Sequence, residues 1–157
     1  DRGVTDIDEI FAILRTLIMS MKCEYIILDH LHMLVNKMYG GDERRDIDYL
    51  MIKLRGLVES TKCALILVSH LKRIDGNSSH ERGAETSLSH LRGSQSIAQV
   101  SDIVLGLERD QHKTNPIEAN TTKVRVLKNR FNGETGLAGE LLYDKETGRL
   151  SEFIEEF

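Results

Sequence analysis

A single aspartate, Asp29, follows directly on the four apolar residues YIIL (25–28). A carboxylate fixed at the end of a short buried strand is the Walker B pattern. Its chemistry is to hold Mg²⁺, or the waters of Mg²⁺, beside nucleotide phosphates. A second apolar run, ALILVS (64–69), ends at His70. Parallel strands finish on one edge of a sheet, and ligands bind at that edge. Asp29 and His70 are therefore expected to face one crevice, where a neutral imidazole contacts a terminal phosphate and reports its loss to the loop that follows. Lys128 and Arg130 stand two apart in KVRVLKNR, and period two puts both on one strand face. Two cations at a strand end suit a γ-phosphate reached across an interface, as an arginine finger does. The plainer alternatives are a solvated loop aspartate, a structural histidine and a solvated strand end.

Other residues carry less. His30 and His32 alternate after the first strand, but a zinc site needs further ligands and the sequence places none. Cys23 and Cys63 precede strands without a CxxC spacing and read as small buried apolar groups. His80, His90 and His112 fall in polar stretches and receive no role. The pattern GxxxxGK[ST] occurs nowhere in the 157 residues, so the usual triphosphate cradle is absent from this sequence.

The elements that must position these residues follow from hydrophobic spacing. Ile7, Ile10, Phe11, Leu14, Leu17, Ile18 and Met21 predict a helix over about 6–21, with Thr5 and Asp8 as a weak capping box. Ile47, Leu50, Met51, Leu54, Leu57 and Val58 predict a second helix, opening after Asp42, Glu43 and Asp46. Helix–MKCEYIILDHL and helix–TKCALILVSHL echo one another, which argues for βαβ architecture with a parallel sheet. Residues 72–93 are polar and read as a long mobile loop. A short helix at 94–100, a strand at 102–107 and a polar loop at 109–121 follow. The last third, KVRVLKNR–FNGETG–LAGELLY–DKETG–RLSEF, has the strand and turn chemistry of antiparallel hairpins.

Composition sets the outer bounds. The chain is 40% hydrophobic and 29% charged, an ordinary globular profile of about one domain's length. The net charge of −4 excludes a broad basic face, so any nucleic-acid contact must be local to loops or a narrow channel. No apolar run reaches a membrane span, and two distant cysteines suit a reducing compartment.

Taken together, YIILDHLHMLV, LILVSHLK, LRGSQSIAQVSDIVLGLERDQ and VRVLKNRFNGETGLAGELLYDKETGRL resemble, in order, the motor domain of replicative hexameric DNA helicases. The likeness is to the phage primase–helicase and Twinkle branch of the DnaB-like helicases and covers most of residues 25–150. The resemblance implies a RecA-like P-loop NTPase core, here its C-terminal part, with the Walker A loop and a catalytic Glu upstream of Asp1. It implies an α/β fold, a parallel sheet flanked by helices with an antiparallel β extension. By residue, it gives Asp29 the Walker B role with Mg²⁺, His70 the γ-phosphate sensor, and Gln99 the link from phosphate state to a DNA-binding loop. Lys128 and Arg130 match the pair supplied in trans to the neighbour's nucleotide, and Arg109 and Tyr143 match residues that sandwich a nucleotide base. Lys72 matches a contact to the DNA backbone, with Arg73 and Arg82 standing where lysines are more usual. Ala98 stands where close relatives often carry Arg, and the loop 109–121 is slightly longer.

The function so implied is ATP- or dNTP-driven unwinding of DNA by a hexameric ring of copies. Single-stranded DNA would be gripped by loops 30–45, 71–92 and 109–121, with a primase fused or associated and no membrane. The setting would be the cytoplasm of a bacterial or phage-infected cell, less readily a mitochondrial nucleoid. The isolated chain is expected to be inactive. The alternatives are a RecA-like recombinase or assembly ATPase, a non-catalytic DNA-binding fragment, and a metal hydrolase built on Asp29, His30 and His32.

Overall fold

The computed structural model describes residues 7–35, 42–74, 79–93 and 95–153. The Thr5–Asp8 capping box and parts of the loops 30–45 and 71–92 lie outside the described residues. The chain divides into two compact units, Asp1–Leu71 with Leu91–Val100, and Lys72–His90 with Ser101–Phe157.

The first unit is built on two similar helix–strand steps. Helix α1 (Ile7–Met19) buries Phe11, Leu14 and Ile18, one stripe at helical spacing. Strand β1 (Tyr25–Leu28) follows, and then a short helix α2 (Leu31–Val35) that the sequence pattern does not announce. Helix α3 (Glu43–Thr61) opens at Asp42, whose carboxylate accepts from the amides of Arg44 at 3.1 Å and Arg45 at 3.3 Å. Such a cap satisfies N–H groups that the first helical turn leaves orphaned. Ile47, Leu50, Met51, Leu54 and Leu57 form its buried face. Strand β2 (Ala64–Leu67) then pairs in parallel with β1, Tyr25 opposite Ala64 and Leu28 opposite Leu67. The echo in the sequence has a structural cause. Lys22 and Lys62 both take left-handed backbone (φ 57° and 60°), turning each helix end into a cysteine and then a strand. Lys53 Nζ joins Asp8 Oδ1 at 2.6 Å, tying α3 to α1. Helix α4 (Ser96–Val100) completes the unit by burying Ile97.

The second unit is a four-stranded antiparallel sheet in the order β3 (Ile103–Glu108), β4 (Thr121–Asn129), β5 (Gly136–Tyr143), β6 (Leu150–Glu152). Its turns use the side chains the sequence offers. Asn132 Oδ1 accepts from the Glu134 amide at 3.0 Å, and Asp144 Oδ1 from Glu146 at 2.8 Å. The loop 109–121 contains helix α5 (Pro116–Asn120), capped by Asn115 and opened by the chain's one proline.

The expectation of a mobile loop over 72–93 needs correction. Its described part holds a 3₁₀ turn (Leu88–His90) and bridges from Leu71 to Leu91 and from Arg82 to Asp110. Thr86 is buried, and both its amide and its hydroxyl donate to Glu108 Oε1, at 2.7 and 2.9 Å. Gly106 makes room for it, since a Cβ there would collide with the Thr86 hydroxyl. Polar residues made this stretch look solvated, but a buried carboxylate collects them.

Candidate functional site

Asp29 follows β1 and His70 follows β2, and parallel pairing brings their strand ends together. Backbone hydrogen bonds fix that edge: Val68 donates to Leu28 at 3.0 Å and Leu31 to Val68 at 2.9 Å. The Arg92 amide donates to the His70 carbonyl at 3.1 Å, setting the chain after His70. Asp29 is exposed and makes no hydrogen bond or ion pair among the described residues. The Asp29–His30 peptide is cis.

The same edge carries a histidine cluster. The His30 ring lies 4.0 Å from that of His70, and His32 stacks on His70 at 5.3 Å. His32 projects from α2 and is 4% exposed. Burial lowers its pKa, with the Arg92 backbone partly opposing. Glu43 Oε1 stands 3.9 Å from His32 Nε2 and also pairs with Arg92 at 3.3 Å. Gln99 lies on α4 in the same unit, exposed.

The second unit holds the remaining candidates. Arg109 donates to the Ala119 carbonyl at 2.8 Å and to Asn120 Oδ1 at 2.9 Å, so α5 anchors it. Its guanidinium lies over the Tyr143 ring, 5.6 Å from the centroid. A base placed between the two needs roughly 7 Å, two van der Waals contacts of about 3.5 Å. At 5.6 Å, Arg109 and Tyr143 are in contact range of one another and must part by more than about 1 Å to admit a ring between them.

Lys128 lies in β4 and donates to the Ser101 carbonyl at 2.7 Å. Burial, then the charge of Arg130, lowers its pKa against the pull of Asp102. Arg130 falls one residue beyond the strand, where its Nη1 meets Asp102 Oδ1 at 3.1 Å and its amide donates to the Asp102 carbonyl at 2.9 Å. Lys72 donates to the Ser89 carbonyl at 3.2 Å, while Arg73 and Arg82 are exposed.

Sequence reasoning missed one group. Glu108, 4% exposed, accepts from Arg125 Nε at 2.7 Å as well as from Thr86, and Arg125 reaches Glu85 at 3.3 Å. Burial would raise the Glu108 pKa, but the hydrogen bonds from Arg125 and Thr86 outweigh it and the net shift is down. Glu108 and Arg125 lie on neighbouring strands, and the register Glu108–Lys123 with Gly106–Arg125 brings them together.

A parallel α/β unit with a carboxylate and a histidine at adjacent strand ends, followed in sequence by an antiparallel sheet, has the α/β architecture expected of the RecA-like class. The solved structure of the ATPase domain of G40P matches with a TM-score of 0.74 at 21% identity, over 95% of this chain and 52% of that one. A DnaB-like replicative helicase, solved in a study of its interactions with primase, matches with a TM-score of 0.65 at 20% identity, over 83% of this chain and 30% of that one.

Within that class the chain belongs to the DnaB-like helicase C-terminal domain family, whose profile matches residues 1–152. It is 40% identical over 143 residues to the DNA helicase/primase of Enterobacteria phage T3, covering 91% of this chain. The chain spans 25% of that relative's length.

Proposed function

We propose that this chain forms the C-terminal part of the motor domain of an NTP-driven replicative DNA helicase, with nucleotide hydrolysed between subunits of a ring. The observation that carries the reading is Asp29 and His70 on one edge of a parallel pair, within a DnaB-like family member. An apolar sheet face supports the idea that further sequence, including a phosphate-binding loop, packs against this unit. Tyr25 is 71% and Ile27 69% exposed, whereas parallel sheets are normally covered on both faces.

The residues fit the implied Mg²⁺ and nucleotide. An exposed carboxylate without a partner among the described residues suits a hard cation that binds through one or two carboxylates, waters and phosphate oxygens. When bound, Mg²⁺ supplies charge neutralisation on the phosphates. Asp29 orients that charge, and His70 hydrogen-bonds the terminal phosphate and passes its loss to the segment it begins. Arg109, held by α5, gives a fixed platform on which Tyr143 closes over the base of ATP or a dNTP. Lys128 and Arg130 serve the nucleotide of the adjoining subunit, and Gln99 relays phosphate state. Lys72, Arg73 and Arg82 grip phosphates of single-stranded DNA, a sequence-independent contact. A primase, fused or separate, is the partner that the named relatives suggest.

The test is DNA-stimulated NTPase and forked-duplex unwinding by the protein carrying this region. Asp29→Ala is expected to abolish both. His70→Ala is expected to lower DNA stimulation more than basal turnover, and equal retention of both would make His70 structural. Strand exchange without unwinding would favour a recombinase instead.

A further inference from the structure

The sequence offers two histidines after β1 but no third ligand for them. Pairing of β1 with β2 supplies it. One ligand nitrogen from each of His30, His32 and His70 lies within 4.8 Å of the others. The contributing segments are hydrogen-bonded to one another: α2 carries His32, and the Val68 backbone bonds both Leu28 and Leu31. Both nitrogens of His32 and Nδ1 of His30 are buried and make no hydrogen bond of full geometry; the nearest polar groups to His32 are the Arg92 backbone and Glu43, the latter 3.9 Å away. Buried polar atoms are normally paired, so three together at one point suit a ligand. Packing alone does not explain them, because an apolar side chain would fill the same space without burying polar atoms.

We propose that His30, His32 and His70 form a binding site for a borderline divalent transition ion of the Zn²⁺ class, with one coordination position left open. Imidazole suits Zn²⁺, Co²⁺ and Ni²⁺, whereas Mg²⁺ takes oxygen ligands, so this site is chemically separate from Asp29. Tetrahedral coordination at Zn–N distances of about 2.0–2.1 Å puts ligand nitrogens roughly 3.4 Å apart. The cluster must therefore contract by up to about 1.4 Å from its 4.8 Å limit, a movement within reach of the exposed His70 side chain. Glu43, 3.9 Å from His32 Nε2, is placed to take the N–H of that ring, as carboxylates beside metal-bound histidines do. The other histidine pair, His80 with His90 at 5.1 Å between rings, has no third ligand among the described residues. One consequence rests on the function proposed above: an ion held here takes His70 away from the phosphate, so Zn²⁺ would oppose DNA coupling.

Binding is tested without reference to activity. Co²⁺ is titrated into the untagged, metal-free chain and followed by its visible absorption and by calorimetry. One ion per chain is expected, with the strong visible bands of a four- or five-coordinate nitrogen site. His70→Gln, at an exposed position that should not disturb folding, and His32→Gln should each weaken binding at least tenfold. Asp29→Asn should leave it nearly unchanged. Absence of stoichiometric binding would overturn the site. So would binding indifferent to both histidine changes, or binding lost in Asp29→Asn alone. Stoichiometric binding dependent on both histidines supports it, whatever the NTPase assay of the proposed helicase returns.

Discussion

Asp29 and the three clustered histidines of the first unit make no side-chain hydrogen bonds of full geometry among the described residues, whereas the candidate cations of the second are largely engaged. Arg109 is anchored by α5, Lys128 by Ser101, Arg130 by Asp102 and Lys72 by Ser89. The contrast separates two ways of preparing a site. Side chains left unsatisfied on a rigid strand edge keep their bonding capacity for a ligand. Cations tethered to carbonyls and side chains of their own unit have their positions set in advance, which matters most for a group whose work is positioning. On the function proposed above, Asp29 and His70 of the first unit meet this chain's own nucleotide and ion, and Lys128 and Arg130 of the second are pre-set for the neighbouring subunit.

The largest effect should come from the tethered side. An arginine finger is typically worth about 10³–10⁵ in rate. Arg130→Ala is expected to remove NTPase activity in the assembled protein while nucleotide affinity and thermal stability stay close to the parent. A matching loss of nucleotide binding would erase the distinction between the units.

Removing only the tether should cost less. Asp102→Ala keeps the Arg130 guanidinium but frees it from the 3.1 Å contact. A misplacement of about 1 Å can cost up to about 10²-fold, so a fall in kcat of that order or smaller, with KM little changed, is expected. Steady-state kinetics decide it. A loss as large as that of Arg130→Ala would mean that Asp102 does more than position.

The Glu108 clamp should change stability rather than rate, and it carries a pH signature. Its folded pKa lies below the ordinary glutamate value, so the stabilisation is complete above that value. It is lost as pH falls from there through the lowered folded value. Glu108→Ala leaves Arg125 with Glu85 alone and should destabilise the protein by about 3 kcal/mol at neutral pH. Denaturant unfolding from neutral pH to about pH 3 should show a flatter profile for the variant than for the parent. Parallel profiles would remove the clamp from the account.

What the sequence made legible follows the same division. Strand β1 falls on YIIL because four apolar residues stand between polar ones, and α3 begins at Asp42 because its carboxylate caps it. Both are local signals. Helices α2 and α5, five residues each, are too short to show a period, although Asn115–Pro116 is a start signal that could have been read. The strand carrying Lys128 stops at Asn129, one residue short of Arg130, and the two cations are held at the adjacent residues Ser101 and Asp102, a tethering that local spacing does not show. The third histidine and the Glu108–Arg125 pair depend on strand register, across 38 and 17 residues of chain, which no local pattern records.

The central claim is that Asp29 and His70 serve this chain's own nucleotide while Lys128 and Arg130 serve the neighbour's. Mixing subunits tests it most directly. Asp29→Ala and Arg130→Ala subunits are each expected to be inactive alone. In mixed rings, some interfaces pair an intact Asp29 on one subunit with an intact Arg130 on the next. NTPase activity above both parents is the predicted result, greatest near equal proportions. Verified mixed rings with no activity above either parent would contradict the account, because each subunit would then need both groups within its own chain.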